Sequence, residues 1–593
     1  MIRIAKWLLI AGVLAAFSSP NARANTLNAP SCSQSDVQAT VNSSSNGDTV
    51  VVPAGNCTWS SQVLVSGKAL TIIGATTCDG TPTTQTTSCV DNTIITLTYG
   101  PNSQTLIVSN TSAANFVRLT GFTFIDGTSG TSNGVIRFSN GMHGSVSFRV
   151  DHIHLKSNSG GVFINLSDSY GLADHILVDE TGTTGMNPPI VIYGDYATRG
   201  YQNWNDPTNE GSNQAIYIEN CTYNALHSGS EGFFDAYAGA KLVVRYNAIN
   251  NSGNSGAHGT DSGNWRSVLL QEIYNNTFTN NTGNSQAPMT VRGGILLMFN
   301  NTLTGNSPWT GTSLGYFRIA EVTDIGRWGL ALSGLNWIPL SGDPTNVNST
   351  NNTLNAPTWI PANSYPAGAA VGPLGGNNPG QWNYQNRGSS CTSGGGAPSW
   401  NQTPGGTTND GSCTWTNVGG TTIPGLMTAR WCGANPDTLA ISNATCSSLV
   451  PGDTASRYFD AANGTYPFRD QPGVGHNQMS FPNYEWGNTG SQAPGEPMLA
   501  TNAPSAVQPN RDYFDYTASF NGSSGVGVGM SSARPSNCTT GVGYWATDSN
   551  TLYQCASTNN WTTYYVPYTY PYPTTQTTNS PAPPTNVEAT VIR

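Results

Sequence analysis

The sequence predicts an all-β solenoid in which short strands recur along the chain, and three observations carry that expectation. The apolar runs are four to six residues long, show no helical periodicity and are broken by Gly, Asn and Ser. The stretch from Gly232 to Leu303 then repeats one pattern three times: a strand-like run, a glycine break, a second apolar run, an asparagine, a β-branched or aromatic residue and an Asn/Gly turn. Aligned copies also form columns. Leu119, Val150, Ala173, Ile218, Val244, Ile273 and Met298 open the regular half of each copy, and Phe124, Leu155, Val178, Tyr223, Ile249, Phe278 and Leu303 stand five positions later. The steps between copies are 31, 23, 45, 26, 29 and 25 residues, the 45 marking an inserted loop at roughly 198–213. A period in the twenties built from short strands means coils that bury a common core by stacking. Leucine-rich repeats share the period but need a leucine framework and a helix per repeat, and neither is present.

In chain order, Met1–Ala24 has Arg3 and Lys6, an apolar core from Trp7 to Phe17 and the small-x-small ending Ala22-Arg23-Ala24, the pattern of an export signal. No other run approaches the length of a membrane span. Charged residues are only 9%, but 15 Trp, 25 Tyr and 17 Phe argue for packed structure over disorder. A net charge of −10 argues against a nucleic-acid partner. The 11 cysteines of an exported chain read as disulfides. Neighbouring pairs are Cys32 with Cys57, Cys78 with Cys89, Cys391 with Cys413, Cys432 with Cys446 and Cys538 with Cys555, which leaves Cys221 alone. Ser35–Gly55 reads as a short amphipathic helix, a turn at Asn46-Gly47-Asp48 and a strand at 49–52, followed by a strand at 69–73.

The run NGDTVVVPAG at 46–55, followed by coils of the form strand–NN–T–F, resembles the right-handed parallel β-helix proteins of the pectate-lyase-like superfamily. The resemblance spans roughly Ser35 to Thr350. It implies a right-handed single-stranded parallel β-helix and a polysaccharide-handling role. Ala397–Trp415 resembles small hairpin modules attached to phage-tail and secreted carbohydrate-active proteins, while 466–471 and 510–514 resemble the closing coils of secreted β-helix proteins. The expected organisation is a signal at 1–24, the β-helix at 25–350, a Gly/Pro-rich inserted hairpin region at 351–430, closing coils at 431–530, and a C-terminal hairpin with a Pro/Tyr-rich tail at 531–593.

One column, three residues after the opening position, holds Cys221, Asn247, Asn276 and Asn301, which predicts an internal amide ladder with a buried, inert thiol at its upstream end. Functional groups should then point outward from neighbouring coils, about 4.8 Å apart. Two clusters qualify. Asp151-His152 and Asp174-His175, with His154 nearby, stack like on like and could hold a divalent metal such as Ca2+, or one His could act as a base with Asp orienting it. The second cluster rests on placing Phe234 and Val291 in one inward column, which puts Asp235 and Arg292 in one outward column. His258 and Asp261 come from the coil between, Arg245, Arg266, Trp265, Tyr237 and Glu272 from the same coils, and Arg318 and Glu321 from the next. Asp235, His258, Asp261, Arg292, Arg266 and Arg245 form the expected catalytic set, and Tyr237, Trp265, Glu272 and Arg318 the substrate-binding set. Carboxylates, a histidine and arginines among aromatic rings suit glycan chemistry. In β-elimination a cation or arginine offsets the uronate carboxylate and a base removes the C5 proton, whereas in hydrolysis Asp235 and Asp261 would serve as acid and base. The reading is a monomeric secreted polysaccharide lyase, with a β-helix glycoside hydrolase and a non-catalytic glycan-binding appendage as rivals.

Overall fold

The computed structural model describes residues 24–98, 105–109, 115–126, 134–139, 146–157, 161–180, 188–196, 203, 207–225, 232–253, 255–257, 267–313, 347–348, 353–354, 359, 361–365, 369–372, 383–403, 405–419, 472–473, 475, 481–493, 495, 497–501 and 507–574. Strands of successive coils pair in parallel along three tracks, so the chain is a parallel β-helix. The first track runs from Thr26–Asn28 through Val117–Thr120, Lys241–Arg245, Leu270–Tyr274 and Ile295–Phe299 to Asn483–Trp486 and Tyr513–Phe514. The second includes Gly55–Trp59, Thr123–Asp126, Thr222–Ala225, Thr277–Asn280 and Thr302–Gly305. The third forms a separate sheet of ten strands, among them Ile136–Ser139, Ile164–Ser167, Ile190–Tyr193, Phe234–Tyr237, Ser255–Ala257 and Met289–Thr290.

Register follows the columns read from the sequence. Leu119 pairs with Val150, Val150 with Ala173, Ala173 with Ile218, and so on through Val244 and Ile273 to Met298. The second column, Phe124 to Leu303, pairs in the same way. Both columns point inward and are buried, because alternation along a strand sends every second side chain into the common core. The helix Gln34–Ser43, capped by the Ser33 side chain accepting from the Asp36 N–H, covers the first coil with Val37 and Val41.

The chain turns from the first track to the second through one left-handed residue per coil: Gly121, His152, His175, Asn220, Tyr246, Asn275, Asn300 and Gly487 all have φ between 51° and 79°. The next residue points inward, and it is apolar at Ile153 and Ile176 but amide at Asn247, Asn276, Asn301 and Asn488. Each Asn Nδ2–H donates to the Oδ1 of the next, at 3.0, 3.0 and 2.8 Å, and to a backbone carbonyl of the coil before. Cys221 sits at the upstream end, where its N–H donates to Asn247 Oδ1 and its thiol is buried.

Asn483–Trp486 pairs with Ile295–Phe299, and Leu499–Ala500 with Thr312–Ser313, so residues 314–482 interrupt the stack between a third-track strand and the next first-track strand. Within that stretch lies a small antiparallel sheet (Ala370–Val371, Asn383–Asn386, Thr407–Asp410, Cys413–Gly419). Its core is Trp359, Tyr365, Tyr384 and Trp415, and the Asp410 carboxylate accepts from both the Trp359 and Trp415 indoles. A second sheet, Val526–Gly529, Gly543–Ala546, Thr551–Ser557 and Asn560–Tyr565, lies against the outer face of the first track. Disulfides join Cys32 to Cys57, Cys78 to Cys89, Cys391 to Cys413 and Cys538 to Cys555. Cys432 and Cys446 lie outside the described residues.

Among the described residues the core also holds a polar side chain of the opposite kind. Gln271 points inward between Leu242 and Leu296, fully buried, with neither amide atom hydrogen-bonded. Replacing it should therefore act oppositely to replacing a ladder residue. Gln271→Leu is expected to raise stability by about 1 kcal/mol, whereas Asn276→Ala, which strands the Asn247 amide and the Val244 carbonyl, should lower it by about 3 kcal/mol or more. Denaturant midpoints of the two variants against the parent check both signs.

Candidate functional site

Of the three outer faces, the first-track face is roofed. Arg245 is fully buried there: its Nε donates to Glu219 Oε2 at 2.7 Å, Nη1 to the Tyr274 hydroxyl and the Tyr568 carbonyl, and Nη2 to the Thr569 carbonyl. Glu219 in turn accepts from the Tyr572 N–H at 2.9 Å. Glu272, equally buried, accepts from the Gly211 N–H at 2.8 Å and the Tyr565 O–H at 2.7 Å. The Tyr246 ring stacks on Tyr570 with centroids 3.6 Å apart. Arg245 and Glu272, expected beside Asp235, are thus on a different track from it and hold down the C-terminal segment. Alternation along a strand showed that they point outward but could not say toward which of three faces.

The Asp-His pairs stand in register, as Asp151 pairs with Asp174 and the two imidazoles stack 4.8 Å apart and 6° from parallel. Their carboxylates are taken up by arginines from the preceding coil. Arg118 donates to both oxygens of Asp151 at 2.7 and 2.6 Å, and Arg149 to both of Asp174 at 2.9 and 2.8 Å. Burial works to raise the Asp151 carboxyl, but its bonds to Arg118 and His152 and the charges of Arg149 and Arg118 overcome that and hold it well below the usual range. His175 donates from Nδ1 to Asp174 and from Nε2 to the Thr81 carbonyl when both nitrogens carry protons. Burial works to lower its pKa, yet these two acceptors and the Asp174 charge leave it raised. His154 is held elsewhere, on the second track, between Asp91 at 2.7 Å and Asp179 at 2.9 Å, with Lys156 on Asp91. A calcium ion fits this donor set poorly, because bidentate guanidinium groups already occupy the oxygens it would need. Among the described residues no group of three or more His, Cys, Asp or Glu is arranged to hold a metal.

The third-track face gathers a different set. Arg137, Asn165, Val191 and Asp235 pair in one outward column on successive coils, and Ser139, Ser167, Tyr193 and Tyr237 in the next. Tyr193 and Tyr237 stack with centroids 5.3 Å apart, and Tyr196 meets Tyr193 edge-on at 5.2 Å. The Arg137 guanidinium lies 5.1 Å from the Tyr196 ring centre, its Nε buried without a hydrogen-bond acceptor. Asp168, left-handed at φ 54°, fixes this corner by accepting from the Tyr196 N–H at 2.6 Å. Ser167 Oγ donates to Asn165 Oδ1. Burial, helped by the nearby Asp235 charge, pushes the Tyr193 hydroxyl up to about 12.

The expected column of Asp235 with Arg292 slips by two residues: Asp235 pairs with Gly256 and Gly256 with Thr290, so Phe234 stands in the column of Met289, not Val291. A slip of two keeps both residues outward but separates them along the strand. Tyr237 is on this face, half-buried. His258, Asp261, Trp265, Arg266, Arg318 and Glu321 lie outside the described residues. Arg137, Asn165, Tyr193 and Tyr196 were not singled out from the sequence, although IVIY at 190–193 over FDAY at 234–237 carried the signal of two tyrosines in one outward column.

No protein-family model matches the chain, and no curated protein is similar to it. Among solved structures, an alginate lyase from Paenibacillus sp. str. FPU-7 aligns at 15% identity and a TM-score of 0.26, over 48% of this chain and 98% of the lyase. ORF18 of Geobacillus virus E2 aligns at 13% identity and a TM-score of 0.21, over 70% of this chain and 80% of the viral protein. Similarity this low leaves the reaction to be argued from the residues.

The raised pKa of His175 gives the Asp-His ladder a signature in pH. Its contribution to stability is complete below the ordinary histidine value of 6.5 and is lost as pH rises through the raised one. His175→Asn, which keeps a residue tolerant of the left-handed corner, should be less stable than the parent at pH 5, with the gap closing by pH 9. A gap in melting temperature of constant size across that range would contradict the assignment.

Proposed function

We propose that the chain is a polysaccharide lyase that cleaves a uronate-containing glycan by β-elimination on the third-track face. The observation that carries this reading is the co-location of Arg137, Asn165, Tyr193, Asp235 and Tyr237 on successive coils of a face that the C-terminal sheet does not cover. Coils about 4.8 Å apart set these groups in a line along the solenoid, which suits an extended polymer more than a small ligand.

Each group has a chemical task in that reaction. Among the described residues Arg137 has no carboxylate partner, unlike Arg118, Arg149 and Arg245, and it is the group that offsets the uronate carboxylate and so acidifies the C5 proton. Asn165 hydrogen-bonds the same carboxyl or a ring hydroxyl. Tyr193 keeps its proton throughout the neutral range and can give it to the departing glycosidic oxygen. Tyr237 and Tyr196 offer ring faces to sugars. We assign the base to His258, which follows the strand Ser255–Ala257 directly in the sequence. The base takes the C5 proton, the C5–H electron pair becomes the C4–C5 double bond, and the C4–O bond breaks as its oxygen takes the Tyr193 proton. Export by the Met1–Ala24 signal completes the proposal, and the four disulfides are consistent with an extracellular protein.

Incubation with a panel of uronate polymers, read at the ultraviolet absorbance of an unsaturated sugar, tests the reaction. Tyr193→Phe is expected to lower kcat by about 10^2- to 10^4-fold with little change in KM, and Arg137→Ala to lower kcat/KM by about tenfold or more, through kcat as well as KM. Release of reducing ends without the chromophore would replace elimination by hydrolysis, and full activity in Tyr193→Phe would remove the site from this face.

A further inference from the structure

The joint between the solenoid and the C-terminal sheet contains a buried acid that the proposed reaction does not use. Three parts of the chain meet at Glu272: its own first-track strand, the loop at Gly211 and the strand Asn560–Tyr565. Both carboxylate oxygens are spent on this contact, one on the Gly211 N–H and one on the Tyr565 O–H. Gly211 is left-handed at φ 69°, and a side chain there would strike the Val566 carbonyl, so the loop and the C-terminal segment lie backbone against backbone. The ionisable groups around the acid are Glu210 on the loop, Tyr274 on its own strand Leu270–Tyr274, Tyr217 and Arg245 on other first-track strands, and Tyr564 and Tyr565 on the C-terminal strand. The one cation among them, Arg245, is bonded to Glu219 and to the Tyr568 and Thr569 carbonyls, and among the described residues no cation bonds to Glu272.

We propose that Glu272 makes docking of the C-terminal unit pH-dependent, the unit being clasped more tightly when Glu272 is protonated. Undocking would return the carboxyl to water and its ordinary value of 4.5, whereas burial, with the Glu210 charge adding to it, pushes the docked group up to about 7. Docking therefore takes up a proton between those values, and the closed-to-open ratio falls about tenfold per pH unit from about 4.5 to about 7 and is level above. The aromatic stack beneath the unit, Tyr274, Phe299 and Trp486, with centroids 4.5 and 4.4 Å apart, is what an opening would bare.

Native-state amide exchange of the full chain, corrected for the intrinsic pH dependence of exchange, reads this equilibrium directly. Protection in residues 560–572 is expected to drop about tenfold per unit up to about pH 7, while the strand Thr277–Asn280 keeps its protection. Glu272→Gln should abolish the slope. Tyr565→Phe removes a donor that favours the ionised carboxylate, so its plateau should begin above pH 7. A wild-type profile without slope, a Glu272→Gln protein that repeats the wild-type slope, or a Tyr565→Phe plateau that starts lower would each overturn the proposal. Should Glu272→Gln fail to fold, the direction of the Tyr565→Phe shift decides alone.

Discussion

Every other feature of this molecule depends on coils that stack in register about 4.8 Å apart. Register makes each inward side chain face its own equivalent in the next coil, so a residue that would be costly alone becomes stable in a column. A single buried asparagine would leave amide groups without partners. Four in a row satisfy one another and the corner backbone, and the last, Asn488, donates to Glu485 inside the closing coil. The ladder also explains how the stack survives the interruption at 314–482. Loop-closure entropy grows only slowly with length, and Asn488 finds Asn301 across 187 positions to resume the same bonds.

The same register lets one outward column change character along the solenoid. Thr120, Asp151, Asp174, Glu219, Arg245, Tyr274, Phe299 and Trp486 are equivalent positions of successive coils. At the upstream end Asp151 and Asp174 are buried, and the partly exposed Arg118 and Arg149 pair with them. At the downstream end the column is aromatic and must be covered, and Trp545 and Tyr565 cover it. Arg245 stands where the two regimes meet, which is why it is both ion-paired and buried.

That transition marks the limit of what the sequence discloses. The inward columns, the amide ladder and four disulfides were legible because each depends on local spacing or on like meeting like. The outer faces were not. Alternation places Arg245, Glu272 and Asp235 outward alike, but the roof over the first two comes from residues about 300 positions later, such as Tyr565. Asp151 and Asp174 looked free because the Asp-His dipeptides drew notice, while Arg118 and Arg149, one column away on the preceding coils, left no mark in any spacing rule. The two-residue slip between Asp235 and Arg292 arose where strands shorten to two or three residues, too short to pin register by pattern.

Short strands are also the physical reason to look to the third track for function. Where the first track turns into the second, the left-handed corner and the inward residue after it constrain substitution, so neighbouring coils resemble one another at that corner. The third track lies away from that corner, and its long interruptions, at 314–482 and between Tyr193 and Ile216, leave from its strands. Its outward column therefore reads Arg137, Asn165, Val191, Asp235, Gly256, Thr290, with no two neighbours alike. A stacked β-structure gains stability from likeness between coils, so six unlike residues in register on one face forgo that gain. The proposed glycan ligand, with charged and polar groups of its own in sequence, would account for such a column, whereas packing alone favours likeness.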